Sequence, residues 1–298
     1  MTEKMLMGSA TPIAPLGVRA RTRRASRFTR EMRSPGMLAL AAALLTLLVA
    51  LSWALAPHAF APGDPAAGSL SQALQPPSAA HVFGTDPTGR DVYTRVVHGA
   101  GYTLFSALCA VTLGMVVGTL IGLLSGAGPR WLDTTLMRLV DVLLSIPGLL
   151  LSLSIIILLG FGLLQIAVAV AITSVAAFAR LVRGEVIRVR TADFVEAAYA
   201  SGGTFRTVLF RHILPNSLAP VFAMAALQFG TAILAISALG FLGYGAPPPT
   251  PEWGLMIAEG RDYVATAWWL TTIPGAIVVL VVLSANRLSS AISERNSR

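Results

Sequence analysis

Charge is scarce in this sequence. Only 12% of its 298 residues are Asp, Glu, Lys or Arg, against about 25% in an ordinary soluble domain. Meanwhile 55% are hydrophobic and the mean hydropathy is +0.71. A charge at mid-depth in a bilayer costs a few kcal/mol, so the deficit excludes a soluble globular protein and identifies lipid as the solvent. Lysine occurs once, at Lys4. The phosphate-binding loop G-x-x-x-x-G-K-[ST] needs a lysine, so ATP hydrolysis by that route is excluded. Cysteine also occurs once, at Cys109 in an apolar run, which rules out an internal disulfide or a multi-cysteine metal site. The histidines, His58, His81, His98 and His212, all fall in or beside expected loops. With no H-E-x-x-H and no span serine beside an evident base, a membrane enzyme is disfavoured. The net charge of +8 reflects arginines gathered on one side of a membrane rather than a nucleic-acid partner.

What the sequence does contain is long apolar runs. Residues 1–35 carry Lys4, Arg19, Arg21, Arg23, Arg24, Arg27, Arg30 and Arg33 without apolar periodicity, and a basic cytoplasmic tail is expected there. The run "MLALAAALLTLLVALSWALA" has the length of a helix crossing about 30 Å of hydrocarbon. We read residues 36–57 as a first, uncleaved transmembrane helix, because the apolar stretch and the basic segment before it are too long for a signal peptide. Residues 58–99, rich in Pro, Gly, Ser and Ala, form a polar extracytoplasmic connection. A five-helix core over 100–290 comes next, with spans near 102–127, 134–159, 163–182, 217–241 and 270–290, a loop over 183–216 and a short tail, 291–298. Arginine favours one side: Arg180, Arg183, Arg188, Arg190, Arg206 and Arg211 belong to the 183–216 loop and its edges, against Arg90, Arg95 and Arg261 opposite. The positive-inside rule puts both termini and that loop in the cytoplasm. The fold class is all-α, with six membrane spans.

Several patterns stand out within this frame. Gly114, Gly118, Gly122 and Gly126 stack on one helix face, the signature of a close helix–helix seam, or of a face that slides. Arg138 and Asp141 are three residues apart and can pair on one helix, as an anchor or as part of a substrate path. Pro147 is expected to kink that helix. In "EAAYASGGTFRTVLFRHILPN", residues 196–216, Asp193 precedes as an N-cap, Gly202 and Gly203 interrupt the helix, and Phe205, Val208, Leu209 and His212 share one face of a second short helix. This helix-turn-helix suits a protein groove better than a lipid surface. The outer loop "YGAPPPTPEWGLMIAEGRDYVATAWW", 244–269, is too long and aromatic for a simple turn. Its proline run reads as extended, and Trp253 to Arg261 as a short helix that contacts a partner or caps the pathway, the alternative being a solvated connector.

The 196–216 stretch resembles the loop by which permease subunits of bacterial ABC importers dock on their ATPases, with Glu196, Ala197, Ala198, Gly202, Leu214 and Pro215 matching in place. Together with "FGTDPTGRDVYTRV", "DVLLSIPGLLL", "FARLVRGE" and "GFLGYGAPPPTPEWGLMIAEGRDY", the chain resembles the C-type permease subunit of the dipeptide/oligopeptide/nickel importer family over roughly residues 36–290. Gly203, where alanine is common, and His212, where isoleucine is frequent, depart from the pattern. The resemblance implies a six-span permease whose 193–212 element couples to the ATPases. It also implies a homologous B-type permease, two cytoplasmic ABC ATPases that hold the ATP and magnesium, an extracytoplasmic solute-binding protein and a place in the bacterial inner membrane. No cofactor is expected in this chain. Short peptides are the expected substrate, with glutathione or nickel complexes as the alternative.

Overall fold

The computed structural model describes residues 35–296; the basic N-terminal segment and the last two residues lie outside them. Helix α1, Pro35–Leu55, is followed by a single turn, Pro57–Phe60. The connection that comes next is folded rather than merely polar. It contains a 3₁₀ turn at Leu70–Gln72 and isolated bridges between Gly68 and Arg90 and between Thr85 and Asp91. Helix α2 spans Val92–Ala127, about ten residues earlier than its apolar run suggests. Asp91 caps it, its carboxylate accepting the Thr94 N–H at 2.8 Å. At about 1.5 Å per residue, α2 exceeds the hydrocarbon thickness, so its first turns rise into the connection.

The span expected near 134–159 is two helices, α3 (Arg130–Ser145) and α4 (Gly148–Leu159), bent by 95°. Pro147 therefore breaks the helix where a kink was expected. It forces Ile146 out of the helical region, to φ −92° and ψ 130°, the restriction a proline places on the residue before it. Helix α4 alone covers roughly 18 Å, too little for a crossing. Helix α5, Leu163–Arg190, then packs along α2.

The register of that packing settles the topology. Gly114 lies against Ala171 and Ser174, Gly118 against Val175 and Phe178, Gly122 against Ala179 and Val182, and Gly126 against Val186. Contacts advance together along both chains, so α2 and α5 run parallel. The chain between them must return across the layer, and α3 with α4 is that return: one broken crossing. Among the described residues, five helical segments are long and apolar enough to cross alone, and the bent pair makes a sixth.

After α5 the chain turns through α6, Asp193–Ala200, then runs helically from Phe205 through a π-helical turn, Leu209–Ile213, into α7, Leu214–Leu239. The second short helix of the 193–212 element is thus continuous with the following span. A second π-turn, Gly240–Tyr244, leads to α8, Trp253–Gly260, and then to α9, Trp269–Asn296. Helix α9 runs antiparallel to α7, with Ser289 Oγ donating to the Ala223 carbonyl at 2.9 Å and Asn286 beside Gly230. The core runs through α2, α5 and α7. Residues 191–204 define one end of the bundle, the elbow face; residues 61–91 and 245–268 define the other, the cap face.

Candidate functional site

The elbow is built from a helix stop and a restart. Helix α6 ends in a Schellman motif: Gly203 N–H donates to Ala198 O at 3.0 Å and Gly202 N–H to Tyr199 O at 2.9 Å. Gly202 sits at φ +87° with open space where a Cβ would stand, so the turn needs glycine there for its backbone, not for clearance. Clearance is what Gly203 supplies, since a Cβ there would lie 2.7 Å from Ala198 O and 2.9 Å from Val208 Cγ2. Thr204 caps the restart by accepting the Thr207 N–H at 3.4 Å. Asp193 is not a cap; it is the first residue of α6, after Ala192.

Burial sorts the elbow residues. Val195 and Val208 are 1% exposed and Leu209 is 9%, and with Ile213 they join the protein's own core. The expectation that Val208 and Leu209 anchor a partner is therefore corrected: they fasten the elbow to its own bundle. Phe194, Tyr199, Phe205 and Phe210 are exposed, as are Glu196, Ala197, Arg206, Arg211 and Pro215. Ala198, His212 and Leu214 are half-buried, and His212 O accepts from Asn216 Nδ2 at 2.6 Å. The outward surface is aromatic and basic, with Phe210 as the apolar residue that the helical spacing missed.

Next to the elbow, α3 is clamped to α5. Asp133 takes Arg183 Nε at 2.5 Å and Nη2 at 2.7 Å, a bidentate fork, and also accepts from Ser125 Oγ of α2. Asp141 Oδ1 bonds Arg180 Nη2 at 2.5 Å. The expected Arg138–Asp141 pair is therefore replaced by one between helices. Arg190 Nη1 reaches Gly126 O at 3.5 Å, closing the end of the glycine seam.

The cap face holds a charge cluster that sequence reading did not assemble. Asp86 accepts from the Thr88 N–H and hydroxyl, from the Arg90 N–H and, at 2.5 Å, from Arg90 Nε. Arg95 of α2, 1% exposed, donates to Glu259 of α8 at 2.9 Å and lies 3.7 Å from Asp86. Burial pushes the Asp86 carboxyl up, but hydrogen bonds from Arg90 and Thr88 outweigh it, and the net direction is down. Two guanidinium and two carboxylate groups thus tie the 61–91 connection, α2 and α8 together.

Trp253 and Arg261 separate in this structure. Trp253 is fully buried, with Nε1 donating to Val96 O at 3.0 Å, so it is no surface contact. Arg261 is exposed beside Asp262 at 3.4 Å. Glu252, just before α8, caps it by accepting the N–H groups of Gly254 at 2.8 Å and Leu255 at 3.1 Å. Its side chain lies where a Cβ on Gly240 or Gly245 would be. Burial raises its pKa from 4.5 to about 7, against the lowering effect of those two bonds. The stabilisation of the neutral acid is fully present below about pH 4.5 and is lost as pH rises through about 7. Asp86, with its pKa lowered, loses its contribution only below its ordinary 3.8, outside that window. We expect the wild-type thermal midpoint in detergent to fall between pH 5 and 8, and Glu252→Gln to flatten that fall. An unchanged slope in the variant would assign the titration elsewhere.

Residues 118–298 match the family described as "Binding-protein-dependent transport system inner membrane component". A dipeptide transport system permease of Alkalihalophilus pseudofirmus is 45% identical over 75% of this chain and 74% of its own. A di/tripeptide permease of Pseudomonas aeruginosa is 39% identical over 86% of each, and a glutathione permease of Pectobacterium atrosepticum 38% over 73% and 72%. Among solved structures, the MetNI methionine ABC transporter in an inward-facing conformation aligns at TM-score 0.55, with 21% identity over 66% of this chain and 96% of that chain. A structure of an amino acid ABC transporter with histidines aligns at 0.54, with 19% identity over 68% and 94%. The chain belongs to the family of inner-membrane components of binding-protein-dependent transport systems.

Proposed function

We propose that this chain is the C-type permease of an importer for short peptides. In this reading it pairs with a homologous B-type permease, receives solute from a binding protein at the cap face and is driven by two ATPases docked at the elbow face. The observation that carries the reading is the elbow: a glycine-stopped helix with an aromatic and basic outward side, riveted to the core by Val195, Val208 and Leu209. Relatives whose names specify dipeptides and di/tripeptides support the substrate. A relative named for glutathione keeps glutathione as the second reading.

Coupling rests on continuity. From Phe205 to Leu242 the chain is helical without an intervening loop, so a push on the elbow moves α7 directly. The ATPases would hydrolyse ATP with magnesium bound to it; this chain supplies the lever and part of the wall, a rigid-body transition between two states. Arginine placement orients the elbow face and both termini to the cytoplasm. Reporter fusions after residues 129 and 200 are expected to read inside and one after 248 outside; an inside signal at 248 would reverse the scheme.

The function is tested by co-purifying the chain with its partners and measuring ATPase stimulation by binding protein loaded with dipeptide, glutathione or a nickel complex. Dipeptide is expected to stimulate most. In the same complex Phe210→Ala is expected to weaken ATPase retention by about 1–3 kcal/mol, as for a central apolar interface residue. Gly202→Val is expected to lose retention by straining the left-handed turn. Thr207→Ala serves as the exposed control. Wild-type retention in both Phe210→Ala and Gly202→Val would remove the elbow from the docking surface.

A further inference from the structure

Helix α5 is the most enclosed helix of the bundle: α2 covers one side through the glycine seam, and α3, α4 and α7 cover most of the rest. Four of its open positions, set between the exposed Leu164 and Ile187, share one line. Thr173 and Ala177 are half-buried, and Arg180 and Gly184 are exposed. These positions recur every three or four residues and so share one helix face. The line begins beside α4, where a Cβ on Gly148 would stand 3.7 Å from Thr173 Cγ2. Lower down it meets α3 at the Asp141–Arg180 bond.

The character of this line differs from the rest of the open surface. On α1 the exposed side chains include Leu45, Leu48 and Leu51; on α2, Leu113, Val117 and Leu120; on α9, Val279, Leu280 and Leu283. Those are hydrocarbon faces suited to lipid. The Thr173–Gly184 line of α5 instead shows a hydroxyl, two small residues and an ion pair whose side chains are 58% and 63% exposed. Arg180 stands about 26 Å along α5 from Leu163, and Asp133–Arg183 and Arg188–Glu185 lie further on. Charges in lipid pair, bury themselves or reach for the interface. This pair joins two helices and is left open on its far side, a surface that suits water better than hydrocarbon. Arg138, three residues before Asp141 on α3, is exposed as well and has no ion pair among the described residues. The site therefore holds two guanidinium groups to one carboxylate.

Resting on the permease reading, we infer that the Thr173–Ala177–Arg180–Gly184 face is this chain's wall of the aqueous pathway. Within it, Arg180, Asp141 and Arg138 form a transit site for zwitterionic solutes, the guanidinium groups taking a free carboxylate and Asp141 an ammonium group. Arg180 and Asp141 exchange their mutual bond for the two ends of the solute and regain it when the solute leaves. Exchange of one ion pair for another keeps each charge partnered, and a pair open to water is weak enough to release its members.

The test uses the complete importer in proteoliposomes, with Cys109→Ser as background. Thr173→Cys, Ala177→Cys and Gly184→Cys are expected to react with a charged, membrane-impermeant methanethiosulfonate, and Val117→Cys on the hydrocarbon face of α2 is not. Three further variants are compared: Arg180→Gln, Asp141→Asn and the exchanged pair Asp141→Arg with Arg180→Asp. A clamp between α3 and α5 is restored by the exchange, whereas a transit site with its polarity and position inverted is not. We expect the exchanged pair to keep assembly with the partner subunits while uptake of labelled alanyl-alanine falls at least tenfold, as in Arg180→Gln. Wild-type uptake by the exchanged pair, or unreactive cysteines at all three positions, overturns the inference. Should the exchanged pair fail to assemble, the cysteine series decides alone. A wild-type importer that takes up no dipeptide would instead defeat the peptide reading.

Discussion

Gly118→Leu is expected to prevent α2 and α5 from packing and to abolish recovery of a folded, monodisperse protein. A Cβ at this position would stand 2.5 Å from Phe178 Cβ, 2.7 Å from Val175 O and 3.1 Å from Ala179 N. Two of those atoms are backbone, so no rotamer change relieves the clash, and the whole of α5 must move. Overpacking a core costs about 1–3 kcal/mol where side chains can yield; here the cost is at least about 3 kcal/mol on the same scale. The seam also fixes where Arg183 meets Asp133, so its opening loosens α3 too. Gly184→Leu is the control, since nothing lies within 4 Å of a Cβ there. The measurement is thermal unfolding and size-exclusion profile in detergent. A Gly118→Leu protein as stable as wild type would show that α2 and α5 are not in backbone contact.

Arg95→Met is expected to destabilise the cap face by about 3–5 kcal/mol, the usual cost of removing one partner of a buried pair. The loss arises because Glu259 and Asp86 keep their charge with one guanidinium fewer, while the carbonyls of Pro65 and Pro249 lose a donor at 3.5 Å. Arg90 still reaches Glu259 at 3.3 Å, which holds the cost toward the lower end. Adding Glu259→Leu to Arg95→Met is expected to recover much of the stability, because a missing ion pair is far less harmful than half of one. Protease resistance of residues 61–91 in the detergent-solubilised protein reports the effect. Arg261→Ala, at an exposed site, is expected to change stability by less than about 0.5 kcal/mol. Equal behaviour of Arg95→Met and Arg261→Ala would mean that the cluster does not hold the cap.

The legible parts of this fold are those governed by local composition. Apolar runs mark the spans because the solvent selects them, and Gly202-Gly203 marks the elbow because only a few residues tolerate a left-handed turn. The spacing of the four glycines on α2 identified a contact face. It did not say that the partner runs parallel, and only that register makes α3 and α4 a crossing. Pro147 signalled an interruption, but its 95° angle is set by α3 lying against α5. Val208 and Leu209 illustrate a second limit: helical spacing shows which residues share a face, not which body covers it. The Arg138–Asp141 spacing permits a bond that a better-placed Arg180, 39 positions onward, takes instead. Arg90 and Arg95 were visible as charges on the sparse side of the membrane. Their pairing with Glu259 depends on chain folded back from far downstream.

The π-helical turn at Leu209–Ile213 bears on how insertions and deletions act in this protein. Such a turn holds one more residue than the α-helix around it, and each residue of an α-helix rotates the next stretch of chain by about 100°. The direction in which Phe205 and α6 face, viewed down the axis of α7, is therefore written in the number of residues between them and not in any side chain. Substitutions along this stretch alter the strength with which the elbow is held. Loss or gain of a single residue re-aims the elbow while leaving every bond of α7 intact.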